Sequence, residues 1–332
     1  MAAGMPLQAE ESTFLQAIGQ AMDEIMAEDD RVFIIGEDVG AYGGAFKVTK
    51  GLIEKYGPKR VIDSPLSESG FIGAAVGAAL MGLRPIAEVQ YADFISCGWD
   101  QIVNVAAKIH YRTGDPVPMV IRAPSGAGLR AGPFHSQSPE GWFAHAPGLK
   151  VVVPSTPFDA KGLLRSAVLD PNPVIFFEHK YLYRRLKERL PVDKYEVPLG
   201  KAIVRREGED ISVISYGAMI HKALEAAEML AAQGVSVEVV DVRTMVPLDR
   251  QTLIASVKKT SKALVVVEDN YSYGVAAELT ATLASGAFEY LDGPVGRLAP
   301  PDTPVPYSPP LEDAYLPQTE AIGAKIKELV EY

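Results

Sequence analysis

The chain has 332 residues, 48% of them hydrophobic, enough to bury cores for about two domains. Its formal net charge of −10 excludes the basic footprint of a nucleic-acid binder, and its one cysteine, Cys97, excludes an intrachain disulfide and fits a reducing, cytoplasmic setting. The longest apolar run, residues 71–83, is too short to span a membrane, and residues 1–6 lack the charged and apolar regions of a secretory signal.

Apolar residues at Phe14, Leu15, Ile18, Met22, Ile25 and Met26 recur at helical spacing, with Ser12 or Thr13 placed to cap the start. Residues 32–35 then read as a short buried strand ended by Gly36. Similar strands are expected at 61–62, 85–89, 119–121, 151–153 and 174–177, with helical stretches between most of them. Cys97 reads as a packed thiol. The pattern fails between Lys180 and Gly200, where charges, Pro191 and Pro198 dominate, and the basic cluster at 183–189 reads as a solvated connector. A second alternating series follows: strand 211–214, helix 220–232, strand 235–240, helix 247–257, strand 263–267 and helix 274–285. A proline-rich stretch and an amphipathic helix over 320–330 close the chain. Buried strands alternating with helices predict parallel sheets covered on both faces. The expectation is an α/β protein of two domains, each a mainly parallel sheet flanked by helices, over residues 1–185 and 201–332, with a linker at 186–200.

In open parallel sheets, ligands bind beyond the carboxyl ends of the strands. The polar residues that directly follow strands are Glu37-Asp38, the run from Asp63 to Glu68, the run from Gln90 to Asp93, and Arg122. Glu68 stands before a helix with almost no polar side chains, which is expected to be buried. Desolvation there would raise a carboxyl's pKa toward values useful for proton exchange, whereas the macrodipole alone also favours glutamate at a helix start. Glu37 is open to the same two readings, as a functional acid or a turn and ion-pair residue. Residues 122–139 make a loop longer than a strand–helix connection needs. Ser138-Pro139-Glu140 reads as a helix start, which puts His135 on a glycine-rich arm just ahead of it. An imidazole there could serve as acid or hydrogen-bond donor, although a lone loop histidine needs no function. Gly126-Ala127-Gly128 is followed only by Gly132, missing the dinucleotide fingerprint and counting against a nicotinamide-dependent dehydrogenase.

Taken in order, Gly36-Glu37-Asp38-Val39, Lys55-Tyr56-Gly57, Ser64-Pro65-Leu66-Ser67-Glu68, Gly82-Leu83-Arg84-Pro85, His135-Ser136-Gln137-Ser138-Pro139-Glu140 and Asp159-Ala160-Lys161-Gly162-Leu163-Leu164 resemble the β subunits of 2-oxo acid dehydrogenase complexes. Arg243-Thr244 with Pro247, and Asp302-Thr303-Pro304-Val305-Pro306, carry the resemblance to the end of the chain. It implies a transketolase-like pyrimidine-binding domain followed by a transketolase C-terminal-like domain. It implies thiamine diphosphate as cofactor, with Glu68 against N1′ of the aminopyrimidine and Leu66, Gln90 and Phe94 around that ring. Family members carry tyrosine at the place of Phe94, so a hydroxyl is lost here. Glu37 would belong to an acidic chain linking paired active sites, and His135 would act when the acyl unit passes to the lipoyl group of an acyltransferase. A potassium ion would be held mainly by backbone oxygens near Met119, Ala167, Val168, Asp170 and Asn172.

The family binds diphosphate and Mg²⁺ through a Gly-Asp-Gly motif, which this sequence lacks. The resemblance therefore implies a partner α subunit that holds them, in an α2β2 enzyme. Residues 90–94 and 135–140 lean toward the branched-chain 2-oxo acid type, with acetoin and pyruvate types as alternatives. The second domain would serve β–β assembly and docking of the acyltransferase, where the acidic run Glu207-Gly208-Glu209-Asp210 could meet a basic partner. A non-catalytic assembly protein on the same fold is the rival reading. The presence of both Glu68 and His135 counts against it.

Overall fold

The computed structural model describes residues 10–332, so the reading of residues 1–6 lies outside it. The strands are β1 Glu10–Thr13, β2 Val32–Gly36, β3 Val61–Asp63, β4 Arg84–Glu88, β5 Val120–Ser125, β6 Lys150–Val152, β7 Val174–His179 and β8 Lys187–Leu190. They continue with β9 Ile203–Arg206, β10 Ile211–Ser215, β11 Val237–Asp241, β12 Thr244–Val246, β13 Ala263–Val266 and β14 Gly296–Leu298. A seven-stranded sheet has the order β12-β6-β7-β5-β4-β2-β3, and a five-stranded sheet the order β14-β13-β10-β11-β9. Apart from β12 and β9, neighbours in both sheets run parallel. Strands β2, β5 and β7 are buried at every position, the expected consequence of helices on both faces.

Local chemistry sets several boundaries. Helix Phe14–Glu28 starts at Thr13, whose hydroxyl accepts from Gln16 N at 3.2 Å while the Gln16 side chain accepts from Thr13 N at 2.8 Å. That reciprocal cap selects Thr13 over Ser12. In the second domain, the helix expected from Pro247 starts at Arg250, because the Asp249 side chain accepts from Thr252 N and caps it there.

A buried ion network fixes the middle of the first sheet. Arg122 of β5 donates to Glu178 of β7 through Nε at 2.5 Å and Nη2 at 2.8 Å, and through Nη1 to Glu88 of β4. All three side chains are at most 2% exposed. Tyr183 Oη donates to Glu178 at 2.7 Å, so the first residue of the supposed connector is a core side chain. The rest of that connector is not free either, since β8 pairs antiparallel with β1.

The two sheets are locked together. Strand β12 leaves the second domain to pair antiparallel with β6 of the first sheet. Asp159 of helix Pro157–Leu169 accepts from Arg243 at 2.8 Å and pairs with Arg205, which also bonds Asp241 at 2.8 Å. His179 at the end of β7 meets Glu268 just past β13 at 2.8 Å. Two other expectations fail. Cys97 is exposed, and helix Glu68–Leu80 buries only Phe71, Ile72, Ala75, Val76 and Ala79, leaving Gly70, Ala74, Gly77 and Leu80 exposed. Both lie on surface that the other described residues leave open.

Replacing Arg122 by methionine strands two carboxylates in the core, and removing one partner from a buried ion pair costs about 3–5 kcal/mol. Denaturant unfolding of Arg122→Met should show a loss of that order. An unchanged midpoint would mean the network carries no such weight.

Candidate functional site

The predicted polar residues gather on one edge of the first sheet. Gly36, at the end of β2, stands opposite Asp63 of β3 and Glu88 of β4, so the segments after these strands start at one level. The chain runs outward from β2 to β3 and returns to β4 on the other side of β2, opening the crevice where such sheets bind ligands. Position 36 must be glycine, because a Cβ there would lie 2.5 Å from Glu88 O.

Glu37 is buried, and its Oε1 has no hydrogen-bond partner among the described residues. Burial and the nearby Glu68 charge push its pKa up, while the Ser67 main chain works the other way. Glu68, at the start of its helix, is half-buried rather than buried, because the described residues cover only one side of that helix. Leu66 is 82% exposed beside it. Gln90 Nε2 donates to Asp38 at 2.9 Å, tying the segment after β4 to the one after β2.

His135 is half-buried and comes to the same edge by another route. Its ring stands edge-on to Tyr91 at 4.7 Å and to Phe94 at 5.5 Å. Glu37, Glu68 and Gln90 thus form one group, Phe94 and His135 another, and the segment from Gln90 to Phe94 joins them. The second domain clamps the arm that carries His135. Glu268 accepts from Ala127 N at 2.5 Å, Glu312 accepts from Gly128 N at 3.0 Å, and Arg130 pairs with Glu312 and Asp313, each at 2.7 Å. Gly126 is required at the root, since a Cβ would lie 2.2 Å from His179 Nε2.

Behind the arm lies a cluster of buried ionisable groups that sequence reasoning missed. Ser138 does not cap the short helix Glu140–Ala144, and Glu140 turns inward instead of facing solvent, 2% exposed. Burial, with the Asp269 and Glu268 charges, pushes its carboxyl up to about 8. Lys180 is pushed down to about 8 by burial, against the pull of Asp93, Glu268 and Glu140. The one available signal was Glu140 inside a loop too long for a simple connection. A groove of about 670 Å³ runs between Gln137 and Ser138 on one side and Asp269, Tyr273 and Tyr315 on the other, and none of Glu37, Glu68 and Phe94 lines it.

The five residues expected at a potassium ion also come together, at the opposite edge of the sheet. Met119 O accepts from Val174 N at 3.0 Å, and Ala167 O from Asp170 N at 3.3 Å. Val168 O accepts from the Arg84 guanidinium at 2.6 Å. The Asp170 carboxylate takes Asn172 N and Nδ2, each at 2.9 Å, and pairs with Lys150. Hard oxygen donors of this kind suit an alkali cation, although Arg84 and Lys150 already bring positive charge there.

Residues 10–185 match the family described as "Transketolase, pyrimidine binding domain", and residues 200–322 match "Transketolase, C-terminal domain". The chain is 49% identical over 323 residues to the 2-oxoisovalerate dehydrogenase subunit beta of Bacillus subtilis (strain 168), covering 96% of this chain and 99% of that one. It is 46% identical over 324 residues to the acetoin:2,6-dichlorophenolindophenol oxidoreductase subunit beta of Cupriavidus necator, covering 94% and 95% of the two chains. It is 45% identical over 319 residues to the pyruvate dehydrogenase E1 component subunit beta of Acholeplasma laidlawii, covering 96% and 97%. Among solved structures, a "Split gene transketolase, inactive beta4 tetramer" superposes with a TM-score of 0.76 at 22% identity, covering 96% of this chain and 98% of that one, a likeness of fold.

Glu140 gives a pH test of the buried cluster. Its folded-state pKa of about 8 lies above the ordinary 4.5, so its contribution to stability is full below the ordinary value and is lost as pH rises through about 8. Glu140→Gln keeps the neutral form throughout. Its melting temperature should gain on the parent's between about pH 5 and about pH 8, at about 2–4 °C per kcal/mol. A constant difference across that range would show that Glu140 ionises in the fold as it does in water.

Proposed function

The chain belongs to the β subunits of the first, decarboxylating component of 2-oxo acid dehydrogenases, within a transketolase-like, thiamine-diphosphate-dependent family, and from that premise we propose that its β2–β4 edge supplies the pyrimidine half of the cofactor site. Branched-chain 2-oxo acids are the proposed substrates, with pyruvate or acetoin as the second reading. The observation that carries the site is the buried Glu37 Oε1, unpartnered among the described residues and close to Glu68, on the edge that also carries the exposed Leu66 and the turn bearing Phe94. Such a set fits a flat heteroaromatic ring with one proton to share.

Thiamine diphosphate, when bound, supplies the carbon nucleophile that adds to the 2-oxo group. Glu68 would hold a proton at N1′ of the pyrimidine as a general acid–base group. Glu37 keeps Glu68 in an acidic, poorly solvated neighbourhood and belongs to the acidic chain between paired sites. Phe94 and Leu66 would flank the ring, and Gln90, tied to Asp38, would orient the turn beneath it. His135 would move a proton when the acyl unit passes to the lipoyl group of the acyltransferase.

The exposed side of helix Glu68–Leu80, which offers Gly70, Ala74, Gly77 and Leu80 to water next to Met81 at 84% exposure, supports burial against another subunit. That subunit would be the α chain, holding diphosphate and Mg²⁺ in an α2β2 assembly, since this sequence has no Gly-Asp-Gly. The potassium ion proposed at Met119, Ala167, Val168, Asp170 and Asn172 would be structural, far from the reacting edge. Docking of the acyltransferase belongs to the second domain, although Glu207 of its acidic run is already paired with Lys259 at 2.8 Å. No helix among the described residues is long and apolar enough to cross a membrane. A cytoplasmic setting is the proposed one, on the reducing conditions that a single cysteine fits.

Assays of 4-methyl-2-oxopentanoate and pyruvate decarboxylation and of acetoin cleavage, with and without the co-expressed α chain, test this reading. Turnover should require the α chain, favour the branched substrate, and fall by at least about 100-fold in Glu68→Gln. Turnover by this chain alone would overturn the half-site reading, and a fully active Glu68→Gln enzyme would return the assembly-protein reading to the front.

A further inference from the structure

Among the described residues, the hydrogen bonds that tie the arm carrying His135 to the Tyr91–Gly98 turn come from Gln137. At its base the arm is closed by Gly126 N–H donating to Gln137 O at 3.0 Å. Gln137 then reaches across, and both its main-chain N and its Nε2 donate to Asp93 Oδ1, at 3.1 and 3.0 Å. Asp93 is 6% exposed, and its other oxygen has no partner among the described residues. It sits in the 3-10 turn Ala92–Gly98, between Tyr91 and Phe94, the two rings that stand edge-on to His135. The turn is closed by Phe94 N donating to Tyr91 O at 3.0 Å and by Ser96 Oγ donating to Asp93 O at 3.1 Å. Beneath it, Lys180 Nζ lies 5.7 Å from the Tyr91 ring centre and donates to Pro124 O at the root of the arm.

We infer that Asp93 is a positioning residue, which fixes His135 in height and angle over the ring that Phe94 flanks. Two hydrogen bonds to one oxygen of a buried carboxylate resist sliding of the arm better than a neutral pair would. The same short turn carries Phe94 and anchors Gln137, so the ring site and the acyl-transfer site share one rigid mount. A carboxylate is suited to this post because both Gln137 groups are donors and it can accept them at once. This inference rests on the proposed role of His135 in passing the acyl unit to a lipoyl group.

The test uses the assembled enzyme with its α chain. Two rates are read for each variant: 2-oxo acid oxidation with an artificial electron acceptor, and reductive acylation of a lipoyl domain. In Asp93→Ala, acylation should fall about tenfold or more beyond any fall in the first rate, as expected for loss of charge-assisted bonds. The fall should lie in kcat, with KM for the lipoyl domain unchanged. Asp93→Asn, which keeps one acceptor oxygen, should retain part of the rate, and Gln137→Ala, which loses one of the two bonds, should fall less. Asp93→Ala combined with His135→Ala should be no slower in acylation than His135→Ala alone, because Asp93 acts only through the histidine. Equal falls in both rates, or additive losses in the double variant, would overturn the inference. Should Asp93→Ala fail to assemble, Gln137→Ala carries the same double-variant comparison. If His135→Ala itself acylates normally, the proposed role of His135 fails instead, and the two failures are told apart.

Discussion

Arg122 sits at 0% exposure between two carboxylates, on the central strand of three that run side by side. Burial alone would lower its pKa, and the charges of Glu178 and Glu88 more than reverse that, so the guanidinium stays charged in the core. An ion so placed permits little sliding of β4 or β7 past β5, because any shift would leave a buried charge unpaired. Three of the segments at the candidate edge leave from these strands: the Gln90–Phe94 turn from β4, the His135 arm from β5, and His179 and Lys180 from β7. The precision of the edge depends on that register.

The second domain acts on the same edge from the other side. Its Glu268 takes both His179 and the Ala127 N–H, and its Glu312 and Asp313 hold Gly128 and Arg130. The arm is therefore stretched between two domains, with Asp93 fixing one end and the acidic residues of the second domain the other. With β12 built into the first sheet, relative motion of the domains would break a strand pairing as well as ion pairs. A loop this long serves as a rigid mount only because so much of it is tied down.

The sequence carried the alternation of buried strands and helices, because a strand covered on both faces must be apolar at every position, as in Val32–Gly36. It also placed Glu37, Glu68 and Gln90 after strands, where sheet geometry brings them to one edge. It could not show strand β12, three residues long, whose partner lies in another domain. Nor could it show that Arg122, Glu88 and Glu178 meet, since their separation in sequence hides a purely tertiary contact. Its composition predicts that the apolar helix Glu68–Leu80 is buried all round, whereas one side of it is exposed among the described residues, because composition does not say which face finds a neighbour. Glu140 reads as a helix-start acid, whereas its carboxyl is buried, with Ser125 Oγ donating to it at 3.3 Å and the Asp269 and Glu268 charges nearby.

The proposed site holds the pyrimidine half of a thiamine cofactor and leaves the diphosphate half to a partner. Calorimetric titration of thiamine diphosphate with Mg²⁺ into the purified chain, and separately into the chain assembled with its α subunit, is the most direct test of this division. No measurable binding to the chain alone is expected, and micromolar or tighter binding to the assembly, about −8 kcal/mol or better. Micromolar binding by the chain alone would contradict it.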